Sequence, residues 1–316
     1  MIAKSRPLLG AVLTLAALLA AAQSFATTIT VNSWTPIYQG IDTMTAALSG
    51  SVAYAMRVDL TSPGISFITT PHSGPLETTA QTTSQFLQAT GTQVAVNANF
   101  FDPCCNAAPE PKNLEGLAVS GGSVVSPVTT YPSAGSAVLL LTQQNQATIT
   151  TVTSSPIDLS NVFNAVAGSA EIVTNGINTA SNNPPGVGDP LGVNPRTDTG
   201  ISMDGKYLYL AVIDGRQPGY SIGVTTSDAA DLMIALGAYD ALNLDGGGST
   251  ALVRSDSAGG AVVINRPSGG VERYNGNNFG IFANALDVPE PGSMGLVAVA
   301  LVGFLLLRRP SIHSRL

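Results

Sequence analysis

The stretch Ala241 to Thr250 reads ALNLDGGGST, an apolar run that ends in an asparagine, an aspartate and three glycines. As pure structure this is costly. Glycine loses the most conformational freedom on folding, and a carboxylate at the end of a buried strand needs partners. The run makes sense where the backbone must approach a ligand closely, with Asn243 and Asp245 pointed at it. A glycine-rich turn in which Asp245 serves only local hydrogen bonds is the alternative. A second carboxylate, Asp214, ends the apolar run YLYLAVI beside Gly215 in the same way. Histidine offers little, since His72 lies in a Pro-Gly loop and His313 near the end of the chain. Acid–base work therefore falls to carboxylates. Asp245 is the candidate general base or nucleophile and Asp214 its candidate partner. A turn carboxylate paired with Arg216 is the other reading of Asp214.

The elements that must hold these groups read mostly as strands. SVAYAMRVDL, GISFITT, TQVAVNANFF, AVLLLTQQNQATITTV, KYLYLAVID and AVVIN are apolar or alternating runs, separated by Gly, Pro, Asn and Ser clusters. SNNPPGVGDP, from Ser181 to Pro190, reads as a long surface loop. One helix is expected over about Thr78 to Ala89. A stronger one starts at an N-cap of Thr226 or Ser227, carries Asp228 and Asp231 in its first turn, and stops at Gly237. No fixed-period repeat is present. Cys104 and Cys105 follow Pro103 in a loop-like stretch; we expect loop thiols with a local structural role, although an oxidising compartment permits a bond between them.

The 316 residues are 44% hydrophobic and 10% charged, with 33 Gly and 20 Pro, a composition that fits an extracellular β-rich protein. Residues 1–26 read as a secretory signal peptide: Lys4 and Arg6, an apolar run from Leu8 to Ala22, then small residues at Ser24 and Ala26. Residues 27–50 are a lead-in to a domain over 51–285, and 286–316 form a tail. That tail holds Pro289-Glu290-Pro291, a short apolar segment over 294–307, and Arg308-Arg309. This order of parts resembles a PEP-CTERM sorting signal. The resemblance implies export, handling by exosortase-type machinery of Gram-negative bacteria, transient membrane contact through the tail, and delivery to the cell surface, outer envelope or matrix. A plain tail anchor is the alternative. The ends hold Lys4, Arg6, Arg308, Arg309 and Arg315 but only Glu290, which leaves 8 basic and 19 acidic side chains, a net charge of −11, between them. That balance excludes a nucleic-acid binder.

VAVNANFF (Val94 to Phe101), EIVTNG (Glu171 to Gly176), NPRTDTGIS (Asn194 to Ser202), VIDGR (Val212 to Arg216), NLDGGGST (Asn243 to Thr250) and VINRPSGGVER (Val263 to Arg273) follow one another in an order that resembles the phosphodiester glycosidase family. The likeness spans about Ser51 to Ala285 and is densest from Asn194 onward. Ala98 and Asn99 stand where two glycines are usual, and Glu171 where proline is frequent. The resemblance implies an α+β fold with an extensive β-sheet core and a few packed helices in a single domain. It also implies hydrolysis of a glycosyl phosphodiester, a reaction class that ordinarily uses two carboxylates. The leaving phosphate is already acidic, so anion recognition matters more than protonation. Arg196, Arg216 and Arg273, with Arg266 as a weaker fourth, suit that role because guanidinium grips phosphate oxygens bidentately. The implied substrate-binding set is completed by Asn97, Thr197, Asn243, Gly246, Gly247, Gly248, Ser249 and Asn265, with Thr250 beside them. No cofactor is required on this reading; Asn243 and Asp245 leave calcium or magnesium open. A non-catalytic surface or matrix protein that binds anionic glycans on the same fold is the alternative.

Overall fold

The computed structural model describes residues 28–105, 108–128, 136–152, 157–183 and 188–286. The expected signal peptide and the tail beyond residue 286, with its apolar run, lie outside the described residues, among which no helix is long and apolar enough to cross a membrane.

Strand Tyr207–Ile213 shows how the layers arise. Side chains alternate across a strand. Leu208, Leu210 and Val212 join Val94, Val96, Phe279 and Ile281 in one core. Tyr209, Ala211 and Ile213 face the other way and pack with Leu232, Met233 and Leu236 of a helix. Both faces are covered, so the run is apolar throughout. The strand is central in a nine-stranded sheet, between Ser51–Asp59 and Arg196–Ile201; Asp240–Asn243 and Ala170–Thr174 follow outward. A five-stranded sheet with Leu252–Ser255, Val94–Asn97 and Asn278–Phe282 at its centre contributes the opposing side of the first core. A second five-stranded sheet and a three-stranded one complete the described architecture.

The fold is thus β-rich: the extensive β-sheet core expected is present, and the packed helices number two among the described residues. The first helix spans Thr83–Thr90, shorter than the expected stretch. Thr82 and Gln85 cap each other's backbone N–H groups and fix its start. Thr78 and Thr79 instead pair with Lys112 and Pro111 as a short strand, which suits β-branched residues. The second helix, Thr226–Leu236, begins one residue earlier than expected because Thr225 is its cap. Thr225 Oγ1 accepts from the Asp228 N–H, and the Asp228 carboxylate accepts from the Thr225 N–H. Gly237 ends it at φ 108°, a left-handed conformation that favours glycine.

Candidate active site

Asp245 sits where the chain crosses from the nine-stranded sheet to the five-stranded one. The Leu244 N–H donates to Thr197 O at 2.8 Å, in the first sheet. The next N–H, that of Asp245, donates to Ala98 O at 2.9 Å, beyond the end of a strand in the second. Asn97 secures the crossing: its Nδ2 donates to Asp245 O at 2.5 Å, while its Oδ1 accepts from the Ala251 N–H at 3.1 Å and from Thr197 Oγ1 at 2.8 Å. Ala98 and Asn99, in the glycine positions of the family pattern, shape this strand end without a left-handed residue.

The three glycines are explained by what packs against them. A Cβ on Gly246 would lie 2.7 Å from Pro195 O, and one on Gly247 would lie 3.2 Å from the Arg216 guanidinium. One on Gly248 would overlap the guanidinium of Arg273. Gly247 also adopts φ 62°. The resulting cavity, about 330 Å³, is lined by Asp245, Gly246, Gly247, Gly248, Asn243, Arg196, Arg216 and Arg273, together with Phe100, Pro195 and the loop residues Gly188, Asp189 and Asn194. The Gly247 N–H is used by Pro195 O at 2.9 Å, and that of Gly246 bonds the Asp245 carboxylate, so these two do not add to an anion site.

The three lining arginines differ. Arg196 is buried and spends its guanidinium on backbone carbonyls: Nε donates to Val224, Nη1 to Gly188, and Nη2 to Asp189 and Gly192, at 2.6–3.1 Å. It clamps the loop that forms one wall, and burial lowers its pKa. Arg216 is exposed, with φ 59°, a conformation non-glycine residues rarely hold. Its Nε and Nη2 donate to Asn194 Oδ1 at 3.1 and 2.8 Å. Arg273 donates from Nη1 to Ser249 Oγ at 3.3 Å and reaches Cys104 Sγ at 3.9 Å. Among the described residues neither Arg216 nor Arg273 forms a salt bridge. Arg266 instead stacks on Tyr220, 5.0 Å from the ring centre.

The carboxylates differ as sharply. Burial pushes Asp245 up to about 7; the Ser249 hydroxyl, the charge of Arg273 and the Gly246 N–H pull the other way, and the Glu115 carboxylate adds to the rise. Asp214 does not line the cavity. Its oxygens accept from Asn265 Nδ2 at 2.9 Å, the Arg266 N–H at 2.9 and 3.1 Å, and Tyr220 Oη at 3.0 Å. Burial still raises its pKa against those donors. It braces a corner and makes no ion pair with Arg216. Asn265 is spent on the same corner, also donating to Thr250 O and accepting from the Leu252 N–H. Asn97 and Thr197 face each other behind the crossing, where Thr197 Oγ1 also meets Thr250 Oγ1 at 3.3 Å. The structure therefore places Asp214, Asn97, Thr197 and Asn265 behind the cavity, with their polar groups in use. Ser249 lies just below it, between Asp245 and Arg273.

Two groups escaped the sequence reading. Asp198, fully buried in the strand after Arg196, has no hydrogen-bond partner on either oxygen, and burial pushes it up to about 7 against the nearby charge of Arg196. Directly across from it in the next strand, Asn243 donates from Nδ2 to Ser169 Oγ and Leu244 O but leaves Oδ1 without a partner. Glu115 likewise has an enclosed, unpartnered Oε2, and burial raises its pKa. The sequence signal for Asp198 was a charge inside an otherwise buried strand. Among the described residues no group of three or more His, Cys, Asp or Glu gathers as a metal site.

The sequence profile of the phosphodiester glycosidases matches residues 90–282, and that of the PEP-CTERM protein-sorting motif matches residues 287–309. The chain belongs to the phosphodiester glycosidase family. No curated protein sequence matches it. Its fold is similar to that of the zebrafish N-acetylglucosamine-1-phosphodiester alpha-N-acetylglucosaminidase catalytic domain, auto-inhibited by its pro-peptide, with a TM-score of 0.59 and 16% identity over 82% of this chain and 88% of that one. A putative exported protein from Burkholderia pseudomallei gives a TM-score of 0.56 at 15% identity, covering 75% and 76% of the two chains. A hypothetical protein from Synechocystis gives 0.54 at 14% identity, covering 82% and 68%. In this member of the family the glycine-rich signature is the crossing between two sheets.

Proposed function

We propose that this protein is an exported hydrolase of glycosyl phosphodiester bonds, with Asp245 as its catalytic carboxylate and Arg216 and Arg273 as its phosphate-recognition pair. The observation that carries the reading is one enclosed carboxylate tuned near neutrality, beside two guanidinium groups that have no salt-bridge partner among the described residues. In the reaction the bond from the anomeric carbon to the ester oxygen breaks and its electron pair stays on that oxygen. The two guanidinium groups stabilise the departing phosphomonoester. Asp245 either takes the proton of the attacking water or attacks the anomeric carbon itself, to be released by water in a second step. A leaving group this acidic needs little protonation, so a second enclosed carboxylate is not demanded; Asp189, on the cavity wall, is exposed and accepts from Asn194 Nδ2 at 2.7 Å. The PEP-CTERM motif supports export to the envelope, and cell-surface or matrix glycans are the substrates that fit this reading.

Sugar release from a panel of sugar-1-phosphodiesters tests this. kcat/KM should fall as pH drops through about 7, because Asp245 must be ionised to act. No turnover on any member, combined with saturable binding of anionic glycans, would establish the non-catalytic alternative instead.

A further inference from the structure

Cys104 and Cys105 are joined by a disulfide, not left as the loop thiols expected from the sequence. The bond links adjacent residues, so it closes the smallest possible loop and constrains the unfolded chain little; its effect is local. Both cysteines are exposed. The loop that carries them is nevertheless held from below at some cost. Lys112 is completely buried, and its Nζ donates to Pro103 O at 2.7 Å, with Glu110 3.5 Å away as counter-charge. Burying an ammonium group is expensive unless it is paired and hydrogen-bonded. Here that outlay fixes the carbonyl immediately before the cysteine pair. Above it, Cys104 Sγ meets Arg273 Nη1 at 3.9 Å, and the same nitrogen donates to Ser249 Oγ at 3.3 Å. Ser249 in turn bonds the Asp245 carboxylate. Cys105 lines a second cavity, about 620 Å³, which shares Arg216, Gly248 and Arg273 with the first.

We infer that the Cys104–Cys105 disulfide is a positioning element of the anion site. It forms the wall that holds the Arg273 guanidinium against Gly248 and Ser249, so that the oxidised protein binds phosphate groups more tightly than the reduced one. This rests on the proposed role of Arg273.

The experiment reduces the purified protein with tris(carboxyethyl)phosphine, which becomes the phosphine oxide as the two thiols form. The phosphine is then removed under argon, and thiols are counted by alkylation and mass. Calorimetry measures the affinity for inorganic phosphate, and kinetics separate KM from kcat on a methyl sugar-1-phosphodiester. Misplacing a binding group by about 1 Å can cost up to about 10²-fold, so reduction should weaken phosphate binding by about tenfold and lower kcat/KM by at least as much, through KM and, because Arg273 also stabilises the departing phosphomonoester, through kcat. Reoxidation should restore both. The double variant Cys104→Ser/Cys105→Ser should start at the weakened level and ignore reductant, as should Arg273→Ala. If both thiols are free, the melting curve is unchanged and phosphate affinity does not move, the inference is overturned. A large fall in melting temperature on reduction would overturn it too, by making the bond a stability element. Should Arg273→Ala lose affinity while reduction has no effect, only the role of the disulfide fails. Should Arg273→Ala bind phosphate like the parent, the anion site is misassigned and both readings fall.

Discussion

Asp214-Gly215 and Asp245-Gly246 look alike as sequence: each is a carboxylate at the end of an apolar run, followed by glycine. In the folded protein they are opposites. Asp214 is held by an amide, a backbone N–H and a phenol, all of which stabilise its charge in place. Asp245 lines a cavity, has fewer donors, and is left poised near neutrality. The lesson is that a buried carboxylate's role follows from how many donors it already has. One that is satisfied braces the fold, and one that is under-supplied and also lines the cavity retains capacity for chemistry.

Asp245→Asn should produce the largest effect. The amide keeps the shape but cannot take a proton or attack as an anion, so turnover should fall by about 10²–10⁴. Melting temperature should shift little. Single-turnover rates and melting curves on one preparation check both, and a fully active folded variant would erase the distinction between the two aspartates. The converse is Asp214→Ala, which strands Asn265, Tyr220 and the Arg266 N–H. It should cost about 1–3 kcal/mol of stability, with rate per folded molecule largely kept. Denaturant unfolding alongside active-site-normalised rates would show it.

The arginines allow the same contrast. Arg196→Ala removes donors from four carbonyls and should lower stability. Arg216→Ala should instead leave the melting curve nearly unchanged and raise KM for phosphodiesters, by about tenfold for a lost charge-assisted contact. Identical behaviour of the two variants would mean that the division between clamp and anion-binding residue is misdrawn.

The smallest effect concerns pH. Asp198 is raised to about 7 from an ordinary 3.8. A carboxylate raised on folding binds more protons in the native state than in the unfolded chain. Its contribution is therefore fully present below about pH 4 and is lost as pH rises through 7. Asp198→Asn should flatten that part of the stability–pH curve and raise melting temperature at pH 8, without the loss of turnover seen at Asp245. A curve of unchanged slope would show that Asp198 is ionised throughout.

Much of this was legible in the residues. Tyr207–Ile213 and Val94–Asn97 announced themselves by apolar runs, the second helix by its first-turn acid and terminal glycine, and the crossing by its three glycines. What could not be read was which aspartate the fold would satisfy. The donors to Asp214 from Asn265 and Arg266 come from 51 and 52 residues away, beyond any local pattern. Asp198 was hidden inside a family motif because its isolation depends on the strands beside it. The threonine-rich start expected of the first helix became a strand because Lys112 and Pro111 offered a ladder there.

The Asn97 staple carries one more consequence. A single amide ties the backbone of Asp245 to a strand of the opposite sheet, and the N–H groups of Leu244 and Asp245 donate hydrogen bonds into the two sheets, one each. Local opening of either sheet would therefore dismantle the site. The amide hydrogen of Asp245 should exchange with solvent as slowly as the deepest core amides. On heating, catalysis and global structure should disappear together, with no half-folded species that still works.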